Sequence, residues 1–162
     1  MKSFLYHGHQ VDLYAYTDIK GVPSGVIMRD ANEIVESEKV FKHMGSYAAF
    51  ADLFRWALLR NRGGYYCDTD VLCLKPFEFS ESIVIGTEDT DFLTTSVLGF
   101  DGTPLANQFA DDMLYEALNP LEWRSWDSFK IKKKKFLYRL SPKKHNAVGW
   151  GYTSGPIGLN NV

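Results

Sequence analysis

Asp68-Thr69-Asp70 follows directly on a short β-type run, Tyr65-Tyr66-Cys67, which itself follows the breaker Gly63-Gly64. Side chains alternate along a strand, so a strand continuing through this run puts Tyr66, Asp68 and Asp70 on one face. Two carboxylates at that spacing lie about 7 Å apart and repel by about 2 kcal/mol at an effective dielectric near 20. A cation holds such a pair together most readily. Hard divalent ions such as Mg²⁺ or Mn²⁺ take carboxylate oxygens and often share a phosphate substrate. The chemistry indicated is a metal–diphosphate site. Ahead of the glycines, the apolar-periodic segment Ser46 to Asn61 carries Asp52 and Arg55. Alone, they read as a helical ion pair contributing a few tenths of a kcal/mol. In so apolar a helix, and followed by the Asp-x-Asp triplet, they read as part of the same site.

The elements that must position these residues follow from local pattern. Ser46 caps a helix in which Tyr47, Phe50, Ala51, Phe54, Ala57 and Leu58 recur at helical spacing, and Gly63-Gly64 stops it. A strand from Tyr65 to Leu74 is expected next, left through Lys75-Pro76-Phe77. Earlier, Ser3 to Gly8 reads as a helix end and Gln10 to Tyr16 as an alternating strand. Val22-Pro23-Ser24-Gly25 is turn chemistry before a short strand, Val26-Ile27-Met28, and Asp30 to Glu38 reads as loop or helical turn. Ile83 to Gly86 and Thr95 to Phe100 are further strands, and Pro104 opens a helix to about Leu118, closed by Asn119-Pro120. Glu88, Asp89 and Asp91 read as an acidic loop, and the tail from Gly149 to Leu159 as a loop. Helix-to-strand alternation of this kind is α/β.

Length and composition fit one globular domain over residues 1–162, with 45% hydrophobic and 23% charged residues. A net charge of −2 argues against general nucleic-acid binding. Aromatic content of 15% reads first as core material, since rings fill cores more often than they line sugar sites. Cys67 and Cys73, in one extended strand, would lie about 20 Å apart, too far for a disulfide. With no membrane span and no apolar leader after Met1-Lys2-Ser3, a reduced, cytoplasmic protein is expected. Trp123 to Lys144 interleaves Lys and Arg with Phe129, Ile131, Phe136, Leu137 and Leu140. A solvated face is its plainer reading. Peripheral contact of Lys130-Lys144 with anionic lipid at the inner membrane face is the sharper one. His7, His9, His43 and His145 show no metal-ligand spacing and read as structural or surface.

The block from Ala51-Asp52-Leu53-Phe54-Arg55 through Gly63-Gly64-Tyr65-Tyr66-Cys67-Asp68-Thr69-Asp70 resembles the sugar-binding, DXD-containing region of glycosyltransferases. The likeness is to glycosyltransferase family 32, which includes yeast-type initiating mannosyltransferases, α-galactosyltransferases and bacterial capsule or lipopolysaccharide enzymes. Ser3-Phe4-Leu5 with Gly8-His9, Asp30-Ala31, Leu74-Lys75-Pro76-Phe77 and Ser154-Gly155-Pro156 also look like bacterial members. The resemblance implies a GT-A fold, Rossmann-like with a mixed sheet flanked by helices. It implies a UDP- or GDP-hexose donor, Mn²⁺ (or Mg²⁺), retention of anomeric configuration, and a glycan or lipid-linked acceptor. By motif position it implies that Asp70 binds the metal directly and that Asp68 contacts the metal or its waters and the donor hydroxyls. Asp52 and Arg55 would hydrogen-bond the donor hexose, Tyr66 would pack near it, and Ser154 and Gly155 would lie by donor and acceptor. Asp68, Asp70 and Arg55 are thus the expected catalytic set. Family members also begin with a nucleotide-cradling strand of the Ile-Pro-Lys-Ile-Ile-His type and end in a segment closing over the diphosphate. Neither is seen here, so a GT-A domain trimmed at both ends is expected.

Two other readings compete. A non-catalytic sugar-nucleotide-binding module or fragment predicts binding without turnover. An aspartyl phosphotransferase also places Asp-x-Asp after an apolar strand, but normally with Thr or Val at the fourth residue past the first Asp, where this chain has Leu72.

Overall fold

The elements run α1 (Lys2–Tyr6), β1 (Val11–Ala15), β2 (Val26–Asp30), α2 (Ala48–Arg62), β3 (Gly64–Cys67), β4 (Ile83–Asp89), β5 (Phe92–Phe100), α3 (Pro104–Leu118), α4 (Phe129–Leu140) and α5 (Pro156–Leu159). The computed structural model describes residues 1–89 and 91–161. β1 and β2 pair in parallel, while β3 and β4 flank β5 in an antiparallel triplet. The fold is therefore α/β with parallel and antiparallel sheets flanked by helices, consistent with the GT-A-like architecture that the resemblance implies. The two kinds of pairing sit in two sheets.

Helix α2 is the hub. Ser46 Oγ accepts from the Ala48 amide at its start, and Gly63, at φ +63°, ends it by donating to the Leu59 carbonyl. Its buried face is only partly the expected one: Phe50 and Ala57 are buried as the periodicity predicts, but the deepest positions lie elsewhere. Trp56 and Leu59 are the deepest apolar side chains, whereas Tyr47 is exposed and Leu58 half-buried. The reason is that α2 is covered from two sides. Trp56 and Leu59 pack with Leu98 and Phe100 of β5, the Ala106, Ala110 and Met113 stripe of α3, and Leu159. Phe50 and Ala57 pack on the other side with Val35 and, less deeply, Tyr16 and Phe54. Small residues spaced along α3 let the two helices approach closely.

Four local expectations change. The strand after Gly63-Gly64 stops at Cys67 rather than running to Leu74. The Asp68 amide makes one last ladder bond to Ser96, and Val71 then closes a turn onto the Asp68 carbonyl. Beyond it, the Cys73 amide donates to Ser3 Oγ of α1. The extended-strand distance between Cys67 and Cys73 therefore does not apply; both are free thiols, and burial pushes the Cys67 thiol up to about 11. Glu88 lies exposed in β4 rather than in a loop, while the Asp89 side chain and Thr90 fall outside the described residues. The tail ends in a helical turn, α5, begun by Pro156. Asn160 fixes it by exchanging side-chain hydrogen bonds with the Leu93 amide and carbonyl. Among the histidines, His9 Nε2 accepts from the Phe77 amide and His145 stacks on Tyr138, both structural contacts. Among the described residues no helix is long and apolar enough to cross a membrane.

Candidate active site

Arg55 is the centre of the polar cluster behind the Asp-x-Asp turn. Its side chain is buried, and its strongest bonds go from Nη1 to the Thr95 carbonyl (2.6 Å) and Thr95 Oγ1 (2.5 Å) on β5. Nη2 lies 3.5 Å from Asp52 Oδ1 and 3.6 Å from Asp68 Oδ1. These separations exceed ordinary hydrogen bonds, so the guanidinium attracts both carboxylates without using up their oxygens. The same guanidinium sits over the Tyr66 ring at 4.8 Å. One arginine, fixed from β5, thus ties helix α2 to the end of β3.

Tyr66 and Asp68 share a face, as the alternation predicts: the phenol donates to Asp68 Oδ1 at 2.6 Å. Burial raises the Tyr66 phenol's pKa against the pull of Arg55, and the bond to Asp68 adds to the rise, so Tyr66 stays a protonated donor. Asp70 does not share that face. It sits exposed on the turn beyond the strand end. The Asp-x-Asp therefore offers one half-buried, oriented carboxylate and one facing solvent.

The chain's far end closes the other side of Asp52. Trp56 Nε1 donates to the Ser154 carbonyl at 2.6 Å, across 98 residues of sequence, and Ser154 is buried. Gly155 then lies so close that a Cβ there would stand 2.5 Å from Asp52 Oδ2. Next to the turn is a cavity of about 330 Å³, bordered by Gln10 to Leu13, Tyr65, Asp68 and Thr69.

Asp52 is the electrostatically expensive residue. Burial pushes its carboxyl up to about 6 from an ordinary 3.8, against the pull of Arg55, and the charge of Asp68 adds to the rise. A carboxyl raised in the folded state favours folding most below its unfolded pKa, and that advantage is lost as pH rises through the folded value. Ionised Asp52 therefore costs about 3 kcal/mol above pH 6, and the cost develops between about pH 4 and 6. Asp52→Asn is expected to raise unfolding stability at pH 7.5 by about 1–3 kcal/mol and to give no gain at pH 4, as urea titrations at the two values would show. Equal stabilisation at both would contradict the assigned burial cost.

Hydroxyls and carboxylates around a buried guanidinium, with Asp70 exposed beyond them, suit a polyhydroxylated ligand joined to an anion through a shared cation. Residues 9–91 match the family described as glycosyltransferase sugar-binding region containing DXD motif. The chain belongs to this family. The matched segment takes in Asp52, Arg55, Tyr66 and both aspartates of the DXD, while Ser154 and Gly155 lie beyond it. No curated protein and no solved structure matches the chain.

Sequence reasoning missed Thr95, the anchor of Arg55, and the pairing of Trp56 with Ser154. A threonine within a β-type run gives no sign that its hydroxyl faces a buried arginine. The Trp56 contact depends on the folded path of the tail, and no local pattern announces it.

Proposed function

We propose that this DXD-family domain, residues 1–162, is a retaining hexosyltransferase of the GT-A type, moving a hexose from a UDP- or GDP-sugar to a glycan or lipid-linked acceptor in surface-polysaccharide assembly. The carrying observation is the Arg55 bridge: one guanidinium, held by Thr95, places Asp52 and Asp68 around a common point with oxygens left to receive sugar hydroxyls.

The donor set fits a divalent ion of the Mn²⁺ or Mg²⁺ kind. Asp68 has one oxygen bonded to Tyr66 and Arg55 nearby, leaving its other oxygen uncommitted, and Asp70 is exposed on the turn two residues on. Among the described residues there is no cluster of three His, Cys, Asp or Glu, so the protein side offers two carboxylates at most there. That suits an ion sharing its coordination with a diphosphate and water. Asp70 and Asp68 would hold it, and it would supply charge stabilisation for the departing diphosphate.

The chain's own residues do the rest. Asp52 accepts hydrogen bonds from the hexose, Arg55 orients Asp52 and Asp68, and Tyr66 keeps Asp68 turned toward the donor. As the anomeric C–O bond to the diphosphate stretches, the carboxylates stabilise the growing oxocarbenium charge. The acceptor oxygen bonds to the anomeric carbon, and its proton passes to a departing phosphate oxygen, so no side-chain base is required. Ser154 and Gly155 wall the donor site where the acceptor enters. β1 and β3 are both edge strands, and both border the 330 Å³ cavity beside the DXD turn. Peripheral membrane contact through residues 130–144 would bring the domain to a lipid-linked acceptor.

The test is turnover. Incubation with Mn²⁺, UDP- or GDP-hexoses and lipid-linked or oligosaccharide acceptors should release the nucleoside diphosphate and give a product with the donor's anomeric configuration by NMR. Donor binding with no release across the acceptor panel would favour the non-catalytic binding module instead.

A further inference from the structure

Helix α4 is built inside out. Its inward face carries lysines: Lys135, 1% exposed, donates to Asp127 Oδ1 and Oδ2 (3.0 and 2.8 Å) and to the Glu122 carbonyl, and Lys134 donates to the Val148 carbonyl. Tyr152 also donates to Asp127, so this buried polar knot fastens the helix to the body. Ile131 and Tyr138 are half-buried beside these lysines, and the outward face carries the remaining apolar side chains. Phe129, Phe136 and Leu140 recur at i, i+7 and i+11, with Leu137 beside them, and are 85%, 50%, 68% and 54% exposed. Lys133 sits within this stripe, and Lys130 and Lys132 flank it.

A helix that buries a lysine and shows phenylalanine to solvent has an uncovered partner face. Charge says what covers it. Residues 1–127 hold all twenty acidic residues of the chain and ten basic ones, whereas residues 128–162 hold eight basic residues and no acidic one. Among the described residues, no carboxylate lies within ion-pair distance of Lys130, Lys132, Lys133, Lys143 or Lys144. Trp123, 57% exposed under the Arg139 guanidinium, adds the kind of ring that settles at a lipid–water interface. A protein of net charge −2 has concentrated its positive charge around one apolar stripe.

We propose that α4 lies in the plane of an anionic bilayer surface, with Phe129, Phe136 and Leu140 inserted below the headgroups and Lys130, Lys132 and Lys133 on the lipid phosphates. The inference rests on the peripheral contact proposed above and adds apolar insertion to it. Residues 129–140 lie outside the segment matched to the DXD family.

Vesicle flotation tests it, using phosphatidylcholine alone or with one third phosphatidylglycerol. The wild type should float with the anionic vesicles and partly resist high salt, because insertion is not screened. Phe129→Ser/Phe136→Ser/Leu140→Ser changes only exposed side chains and should bind on the order of tenfold more weakly or worse. Lys130→Glu/Lys132→Glu/Lys133→Glu should lose the preference for anionic vesicles. Unchanged flotation of the serine variant, or complete release by salt, would overturn insertion while leaving a purely electrostatic contact. No flotation by the wild type would overturn both. A wild-type dimer dissociated by the serine substitutions, without vesicle binding, would assign the stripe to a second copy and overturn the proposal. Nucleotide-sugar calorimetry on the same variants should be unchanged, which separates membrane docking from the donor site.

Discussion

Arg55→Ala is expected to lower unfolding stability by about 3–5 kcal/mol at pH 7.5 and to abolish donor binding. The arginine is the counter-charge for a buried Asp52 and a half-buried Asp68, and it fills the acceptors of Thr95. Removing it leaves two like charges facing each other across an unfilled space, or forces Asp52 to take up a proton. Asp52→Asn in the Arg55→Ala background should therefore recover part of the lost stability. Arg55→Lys keeps the charge but not the planar fork, which reaches Thr95 and both carboxylates at once. Lysine should restore part of the stability and leave donor affinity reduced by tenfold or more, by the usual arithmetic of a lost oriented ion pair, about 1.4 kcal/mol or above. Urea unfolding and calorimetry read the two effects separately. A change in stability within about 0.5 kcal/mol, as at an ordinary surface position, would contradict the bridge.

Gly155→Ala should damage the same site from the opposite wall. The conformation at Gly155, φ −89° and ψ −162°, is open to any residue, so the constraint is space alone. The added methyl would lie 2.5 Å from Asp52 Oδ2 and 2.5 Å from the Gly151 Cα, a backbone atom that cannot swing aside. Overpacking of this kind costs about 1–3 kcal/mol, and the strain would fall on the Asp52 carboxylate. Donor affinity should fall along with stability. Gly149→Ala is the control: its nearest neighbour would be 3.9 Å away, and both measurements should stay near wild type. Equal behaviour of the two variants would detach Gly155 from the site.

Much of the framework is written in local pattern. The helix from Pro104 to Leu118 has the predicted ends because Pro at its first turn and Asn119 after its last are local signals, and Thr103 adds a side-chain cap. Gly63-Gly64 likewise marks the passage from α2 to β3, both glycines taking positive φ. The limits of legibility are long-range. The strand after Gly64 ends early because Cys73 finds Ser3 and the chain turns at Asp68 to Val71, contacts no window of sequence contains. The apolar period of α2 shows an amphipathic helix but cannot show that it is covered on two sides, which moves the deepest burial to Trp56 and Leu59. At the site, the order Asp52, Arg55, Tyr66, Asp68 is readable, and the fold gathers Asp52, Tyr66 and Asp68 around the Arg55 guanidinium. Thr95 was silent because threonine is common in strands for reasons of backbone preference alone. The basic segment was legible as basic and amphipathic. Which face it turns outward depends on the Lys135–Asp127 pair and emerges only in the fold.

Calorimetric titration with nucleotide sugars tests the proposed DXD-anchored, metal-dependent donor site most directly. UDP- and GDP-hexoses would be titrated into the wild type and Asp70→Asn, each with and without Mn²⁺. Asp70 is exposed on its turn, so its replacement should leave folding intact, which thermal unfolding of the same samples verifies. The expected result is binding of one nucleotide class that requires Mn²⁺ and disappears in Asp70→Asn. Binding of equal strength without the ion, or binding unchanged in the folded Asp70→Asn protein, would contradict it.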